Sequence, residues 1–234
     1  MRFAVVSVVL LAVVAHGAHG AAAPLGTIKG RVLFVATAPN VPAVDRTSDP
    51  YCAARAGRDA DLSVGKGGGL ADVLVRLPPG RLPGRLPGAT PKAPVVIDQT
   101  NCSYRPRVVG VVVGQEVVVK NSDRTLHNVH TFEGKETLFN LGQPEGSAPL
   151  RRELGVRPGA VVRFGCDVHP WMAAWAVVSD HPFFRVTSSD GRFVLKVPPG
   201  SYDLEAWHPT LGTRTVQVLV RAGRTTTARL LFGE

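Results

Sequence analysis

In the run FGCDVHPWM a thiol, an imidazole and a thioether recur at intervals of three, at Cys166, His169 and Met172. Thiolate and thioether are soft donors that favour Cu(I), imidazole also holds Cu(II), and a weak thioether tunes the balance between the two states. The set therefore suits one copper ion that changes oxidation state with little rearrangement. One thiolate and one imidazole leave a trigonal site short of a second imidazole, which must come from a distant segment and normally a facing strand. His127, in NSDRTLHNVHTF, is the best donor. Zinc is a poorer match, since a thioether is not among its usual ligands. The loop has no second cysteine for a thiolate-bridged copper pair, and the chain lacks the His-X-His pairs of enzymes that hold several coppers. The only methionine besides Met1 is the one at this spacing.

Other residues near the motif have plainer readings. In a strand His127 and Val129 share a face while His130 points to the opposite one, so His130 is expected at the surface or beside the ligands. His181 and His208 each precede a proline in a turn-like context and read as structural. Trp171 is either a docking surface beside His169 or a lid that keeps water from the metal, the lid being preferred.

The elements that must position these side chains are strands. Short β-rich runs recur between glycine and proline signals, with no sustained helical periodicity, so the expected class is all-β. AVVRFGC and AAWAVVS flank the Cys166–Met172 loop, which can then turn its side chains inward between two strands. In RVVGVVVGQEVVVKN two valine-rich strands flank a tight turn at Gly114 and Gln115. The first section runs from TIKGRVLFV through a Cys-containing loop to ADVLVRL, and PPGRLPGRLPGATPKAP after it reads as a loop or linker. The last section places turns at SSDG, PPG and RAG and alternates inward and outward residues, as a meander of strands does.

Two resemblances follow from these runs. NSDRTLHNV followed by CDVHPWM resembles the cupredoxins, and C-x2-H-x2-M is similar to the short ligand loop of the amicyanin-like members. The likeness spans Pro94 to Ser179. It implies a Greek-key β-sandwich with a type 1, or blue, copper ion held by His127, Cys166, His169 and Met172. It also implies that Asn128 pins the two ligand-bearing segments together. DGRFVLKVPPGSYDLEAW resembles the carboxypeptidase regulatory-like, or transthyretin-like, β-sandwiches, which implies a second, smaller sandwich. The division expected is a signal peptide over 1–20, a β segment with linker over 21–93, the copper unit over 94–180 and the second sandwich section over 181–234. GTIKGRV is also similar to the first strand of transthyretin-like domains, so an alternative is one terminal sandwich with the copper unit inserted.

The N-terminus carries Arg2, an apolar run from Phe3 to Ala15 and then small residues, the pattern of a secretory signal cleaved after Gly20. The run is shorter than the ~20 residues of a spanning helix, so no membrane span is expected. Cleavage after Ala15 would instead leave His16 first, the one start compatible with a histidine-brace enzyme. Export to the periplasm or beyond favours oxidised thiols. With Cys166 reserved for metal, the simplest pairing of the other two cysteines is a Cys52–Cys102 disulfide. The net charge of +9, one less without Arg2, leaves an acidic protein partner, an anionic surface or mere solvation as readings, solvation being the commonest. Export and the lack of a basic-aromatic motif argue against nucleic acid. The function expected is one-electron transfer between exported redox proteins, a carrier and not an enzyme, with His169 near the surface as the electron's route, as the cupredoxin resemblance implies. A copper-trafficking module and a structural or adhesive β-sandwich are the alternatives.

Overall fold

A computed structural model describes residues 23–38, 43–55, 62–80 and 91–234. The expected signal peptide, with Arg2 and His16, lies outside the described residues, as do residues 81–90 of the proline-rich linker. Strands β1 (Gly26–Phe34) and β2 (Leu74–Arg76) come first. The middle of the chain supplies β3 (Val95–Gln99), β4 (Tyr104–Arg105), β5 (Val108–Val112), β6 (Val117–Asn121), β7 (His127–Glu133), β8 (Glu136–Gln143), β9 (Leu150–Arg152), β10 (Val161–Gly165) and β11 (Ala173–Ser179). The last section supplies β12 (Phe184–Val186), β13 (Arg192–Val197), β14 (Gly200–His208), β15 (Gly212–Val220) and β16 (Thr225–Phe232). A one-turn helix, α1 (Pro50–Ala53), sits between β1 and β2 in the chain. The fold is all-β.

The two ends of the chain build sheets together. β1 lies between β13 and β16, and β2 lies between β12 and β14, with β15 at the outer edge. Alternation explains the layering: in β13 every second residue is buried, and Phe193, Leu195 and Val197 meet Ile28, Val32, Val75 and Leu204 in one core. The turns expected at SSDG and RAG are present, closed by Gly191 N–H to Ser188 C=O at 2.8 Å and Arg224 N–H to Arg221 C=O at 3.1 Å. The chain leaves this outer sandwich after β2 and re-enters it at β12.

Between those points lies an inner sandwich of two sheets, ordered β5-β11-β10-β7-β8 and β4-β3-β6-β9. Its core joins Ile97, Tyr104, Val111, Val119, Val129, Val162 and Phe164 to Cys166 and Met172. The turn at Gly114 is formed, with Gly114 at φ +76° and Gln115 N–H bonded to Val112 C=O at 2.8 Å. It does not make a hairpin, however: β5 and β6 belong to opposite sheets, each paired in parallel with another strand. The valine runs are buried on both faces, so one face of β5 fills the inner core through Val109 and Val111. On its other face Val108 meets Leu74 of β2 and Val177 of β11. That second contact seats the inner sandwich against the outer one, and the ring of Phe184 lies where a side chain on Gly110 would have to go.

Candidate metal centre

Three neighbouring strands of one sheet bring the expected ligands together. β10 pairs with β11 on one side and β7 on the other, Gly165 standing opposite both Ala173 and His130. The segment Cys166–Met172 is therefore a tight connection between adjacent strands, closed by Met172 N–H to His169 C=O at 2.9 Å. His127 starts β7, which is distant in sequence and is the hydrogen-bonded neighbour of β10 in the same sheet. Burial in β7 alternates as the pleat requires, with His127, Val129 and Thr131 buried and His130 partly exposed. His130 turns away to Asp167, at 2.9 Å, and Thr137, at 2.9 Å. His181 and His208 are buried far along the chain, with His181 beside Ser179 and His208 receiving the Thr210 N–H.

The donor atoms of His127, Cys166 and His169 all lie within 4.8 Å of one another. His127 Nδ1 and His169 Nδ1 are 2.9 Å apart, and Cys166 Sγ is 3.8 Å from His169 Nδ1. Met172 is fully buried in the same core cluster as Cys166. Asn128 ties the two segments: its Oδ1 accepts the Asp167 N–H at 2.6 Å, its Nδ2 donates to Asp167 Oδ2 at 3.0 Å, and its own N–H points at Cys166 Sγ at 3.5 Å. The buried Tyr104 hydroxyl is shared between the carbonyls of Asn128, at 2.7 Å, and Gly165, at 3.0 Å. It joins β7 and β10 directly beneath the ligands.

The far nitrogens of both rings meet carboxylates that sequence reasoning did not single out. His127 Nε2 is 2.9 Å from Asp123 Oδ2, and His169 Nε2 is 3.0 Å from Asp49 Oδ2. Asp123 also accepts the N–H groups of Asn101, at 2.8 Å, and Cys102, at 2.7 Å, together with the Tyr51 hydroxyl at 3.1 Å. Asp49 caps α1, its Oδ1 accepting from Tyr51 N–H at 2.7 Å and Cys52 N–H at 3.1 Å, while its Oδ2 accepts the Thr125 hydroxyl at 2.7 Å. Nothing local to Asp49 signals this contact: its place ahead of Pro50 suits a helix start, and the imidazole it meets is 120 residues away.

Burial works against both carboxylates' charge but is outweighed by these hydrogen bonds, which hold Asp123 below the usual carboxylate range and Asp49 down to about 2. With Nε2 of each ring facing a carboxylate, Nδ1 is the nitrogen each ring turns toward the other, 2.9 Å away. Burial likewise opposes charge on Cys166, yet the hydrogen bond with His127 and the N–H of Asn128, among others, bring the thiol below its ordinary range. For His127 burial is overcome by Asp123 and Cys166, which raise it, while burial and the neighbouring His127 charge leave His169 lowered despite Asp49. A thiolate with two inward-facing imidazole nitrogens is a donor set that fits copper. Two other groupings, Asp49–Cys52–His169 and Cys102–Asp123–His127, touch the same rings from behind, but their cysteines are bonded to each other.

Cys52 and Cys102 form a disulfide, with their backbones 5.7 Å apart at Cα. It fastens α1 over the centre: Cys52 Sγ lies 3.7 Å from His169 Nε2, and the Trp171 indole donates to Cys102 C=O at 3.1 Å. Trp171 stands beside His169 with ring centroids 5.0 Å apart and is itself partly exposed. His169 is 1 % exposed and is covered by Asp49 and Trp171, both partly exposed, so its ring does not itself reach solvent. The α1 segment occupies the place where its edge would meet water.

The depressed Asp49 has a consequence for acid stability. A carboxylate whose folded value lies below its ordinary one adds stability that is present above pH ~4 and is lost as pH falls toward 2. Acid titration of the Asp49→Asn variant, followed by circular dichroism, should therefore show a shallower loss of stability between pH 4 and pH 2 than the parent chain.

No protein-family model matches the chain, and no curated protein matches it. Among solved structures, the chain is similar to a reduced amicyanin variant, at 25% identity over 37% of this chain and 82% of that one, with a TM-score of 0.32. It is similar to a purple cupredoxin from Nitrosopumilus maritimus, at 20% identity over 45% of this chain and 97% of that one, with a TM-score of 0.29. A copper-containing nitrite reductase from Thermus scotoductus matches at 23% identity over 42% of this chain and 25% of the reductase, with a TM-score of 0.31.

Proposed function

We propose that the unit over residues 94–180 holds one type 1 copper ion through His127, Cys166 and His169, with Met172 as the weak fourth ligand, and that the protein carries single electrons between exported redox partners. The observation that carries this reading is the convergence of one thiol sulfur and two imidazole Nδ1 atoms within 4.8 Å in a buried pocket. Copper in such a ligand set supplies a one-electron couple between Cu(I) and Cu(II). The chain's own residues do the rest. Asn128 and Tyr104 lock the ligand loop to β7, so the donors are held in place rather than gathered on binding. Val129, Phe164 and the α1 cap keep water from the sulfur and the rings. The disulfide supports export into an oxidising compartment such as the periplasm, and the net charge of +9 favours an acidic protein partner over a basic one. On this reading the chain is a carrier with no catalytic group of its own, and the outer sandwich is a transthyretin-like support.

The burial of His169 favours a second reading, a module that keeps or hands on copper, because a covered imidazole edge slows electron exchange with a partner. One experiment separates them. The protein is loaded with Cu(II), its visible and electron paramagnetic resonance spectra are recorded, and it is then mixed rapidly with ascorbate and reoxidised. An intense thiolate-to-copper band with narrow hyperfine splitting and rapid, reversible bleaching is the expected result. The same band with bleaching over hours moves the function to copper handling, and absence of the band ends the type 1 proposal.

A further inference from the structure

The residues that finish the metal centre do not all belong to the unit that carries the ligands. Asp49, Tyr51 and Cys52 lie in the connection between β1 and β2, and both of those strands belong to the outer sandwich. That connection reaches across to the inner sandwich and is held there at several points, Arg46 to Asn101 C=O at 2.9 Å among them. Thr125 bonds Asp49 at 2.7 Å, Tyr51 bonds Asp123 at 3.1 Å, and the disulfide joins Cys52 to Cys102. Its contacts end on the far nitrogens of both ligand rings, Asp49 directly on His169 and Tyr51 through Asp123 on His127.

We infer that Asp49 is a positioning residue for the copper centre, supplied by the outer sandwich and clamped by the Cys52–Cys102 disulfide, which sets the donor strength and orientation of His169. This rests on the copper reading above. A carboxylate accepting an imidazole N–H fixes the ring's tautomer and rotation and raises the basicity of the opposite nitrogen. A more basic Nδ1 stabilises Cu(II) over Cu(I), so the cap lowers the reduction potential. Asp49 is suited to this because its other oxygen is already committed to the α1 backbone, which leaves Oδ2 fixed toward the ring. The arrangement also gives the outer sandwich a role at the centre: its β1–β2 connection places Asp49 and Cys52 against His169 Nε2.

The test compares the full-length parent with Asp49→Asn, Asp49→Glu and the double variant Cys52→Ser/Cys102→Ser. Asparagine keeps the oxygen that caps α1 while replacing the charge on the ring. With copper bound, Asp49→Asn is expected to raise the reduction potential and weaken Cu(II) binding by roughly 10–100-fold, with Asp49→Glu restoring part of both. Opening the disulfide should move both readouts the same way, and Asp49→Asn should then add little to it. An Asp49→Asn protein with parental potential, affinity and hyperfine splitting would overturn the inference. Should the disulfide variant fail to fold, Asp49→Asn against Asp49→Glu decides alone. A readout that needs no copper separates this idea from the copper reading: the His169 ring N–H proton, observed by NMR in the zinc-loaded chain. Loss or upfield movement of that signal in Asp49→Asn supports the contact even in a protein that forms no blue centre, and an unmoved signal sinks it.

Discussion

On the type 1 copper proposal, replacing Cys166 by serine is expected to abolish the intense visible absorption of the copper-loaded protein and to lower copper affinity by well over 100-fold. Partners behind a metal ligand already cost about 10–100-fold when changed, and loss of the ligand itself should exceed that. The thiol is the one soft anionic donor among the three converging groups, and its replacement leaves two imidazoles and a thioether. The fold should survive. Serine fits the space of the thiol, and its hydroxyl can still accept the Asn128 N–H that now points at sulfur from 3.5 Å. Net loss of one modest hydrogen bond is on the order of 1 kcal/mol. Circular dichroism should therefore match the parent while absorption and copper titration do not. Retained colour in this variant would show that another group supplies the charge transfer.

How far the centre can be read from sequence depends on how local its parts are. Cys166, His169 and Met172 sit on one connection of seven residues between two strands, so spacing alone places them together. His127 is legible because the period of two puts it with Val129 on the inward face while turning His130 out to Asp167. The strands themselves are equally legible from alternation, as in β13. Pairing over distance is not. The valine runs around Gly114 read as two strands flanking a tight turn, which forms, but they are buried on both faces, so nothing in their pattern tells whether they pair with each other or with strands of opposite sheets. The parallel pairing of β1 with β16 joins the two ends of the chain, and only the likeness of GTIKGRV to a first strand hinted at it. Asp49 and Asp123 were invisible for the same reason. Each looks like an ordinary loop acid, and its role comes from an imidazole that the fold delivers. The cover over His169 is invisible in the same way, since it arrives from a different sandwich and not from the ligand loop.

That cap yields the second large effect, on stability. Changing both Cys52 and Cys102 to serine is expected to cost about 4 kcal/mol, because the bond closes a loop with a sequence separation of 50. Against a total of roughly 5–15 kcal/mol for a typical domain, that is a large fraction. The loop closed is an unusual one. It leaves the cap, passes through β2 in the outer sandwich, returns as β3 in the inner one and ends at Cys102. Without the bond, the connection between β1 and β2 is tethered at both ends to the outer sandwich, and the inner one holds it by hydrogen bonds. Those include Tyr51 to Asp123 at 3.1 Å, Thr125 to Asp49 at 2.7 Å and Arg46 to Asn101 C=O at 2.9 Å. Urea unfolding of the parent with and without reductant, beside the double variant, measures the difference. A loss near 4 kcal/mol in both reduced and substituted protein means that the covalent link is what keeps the cap on the centre. A loss under about 1 kcal/mol would mean that the hydrogen bonds suffice, each contributing on the order of 1 kcal/mol, and that the cap closes His169 from water in either redox state.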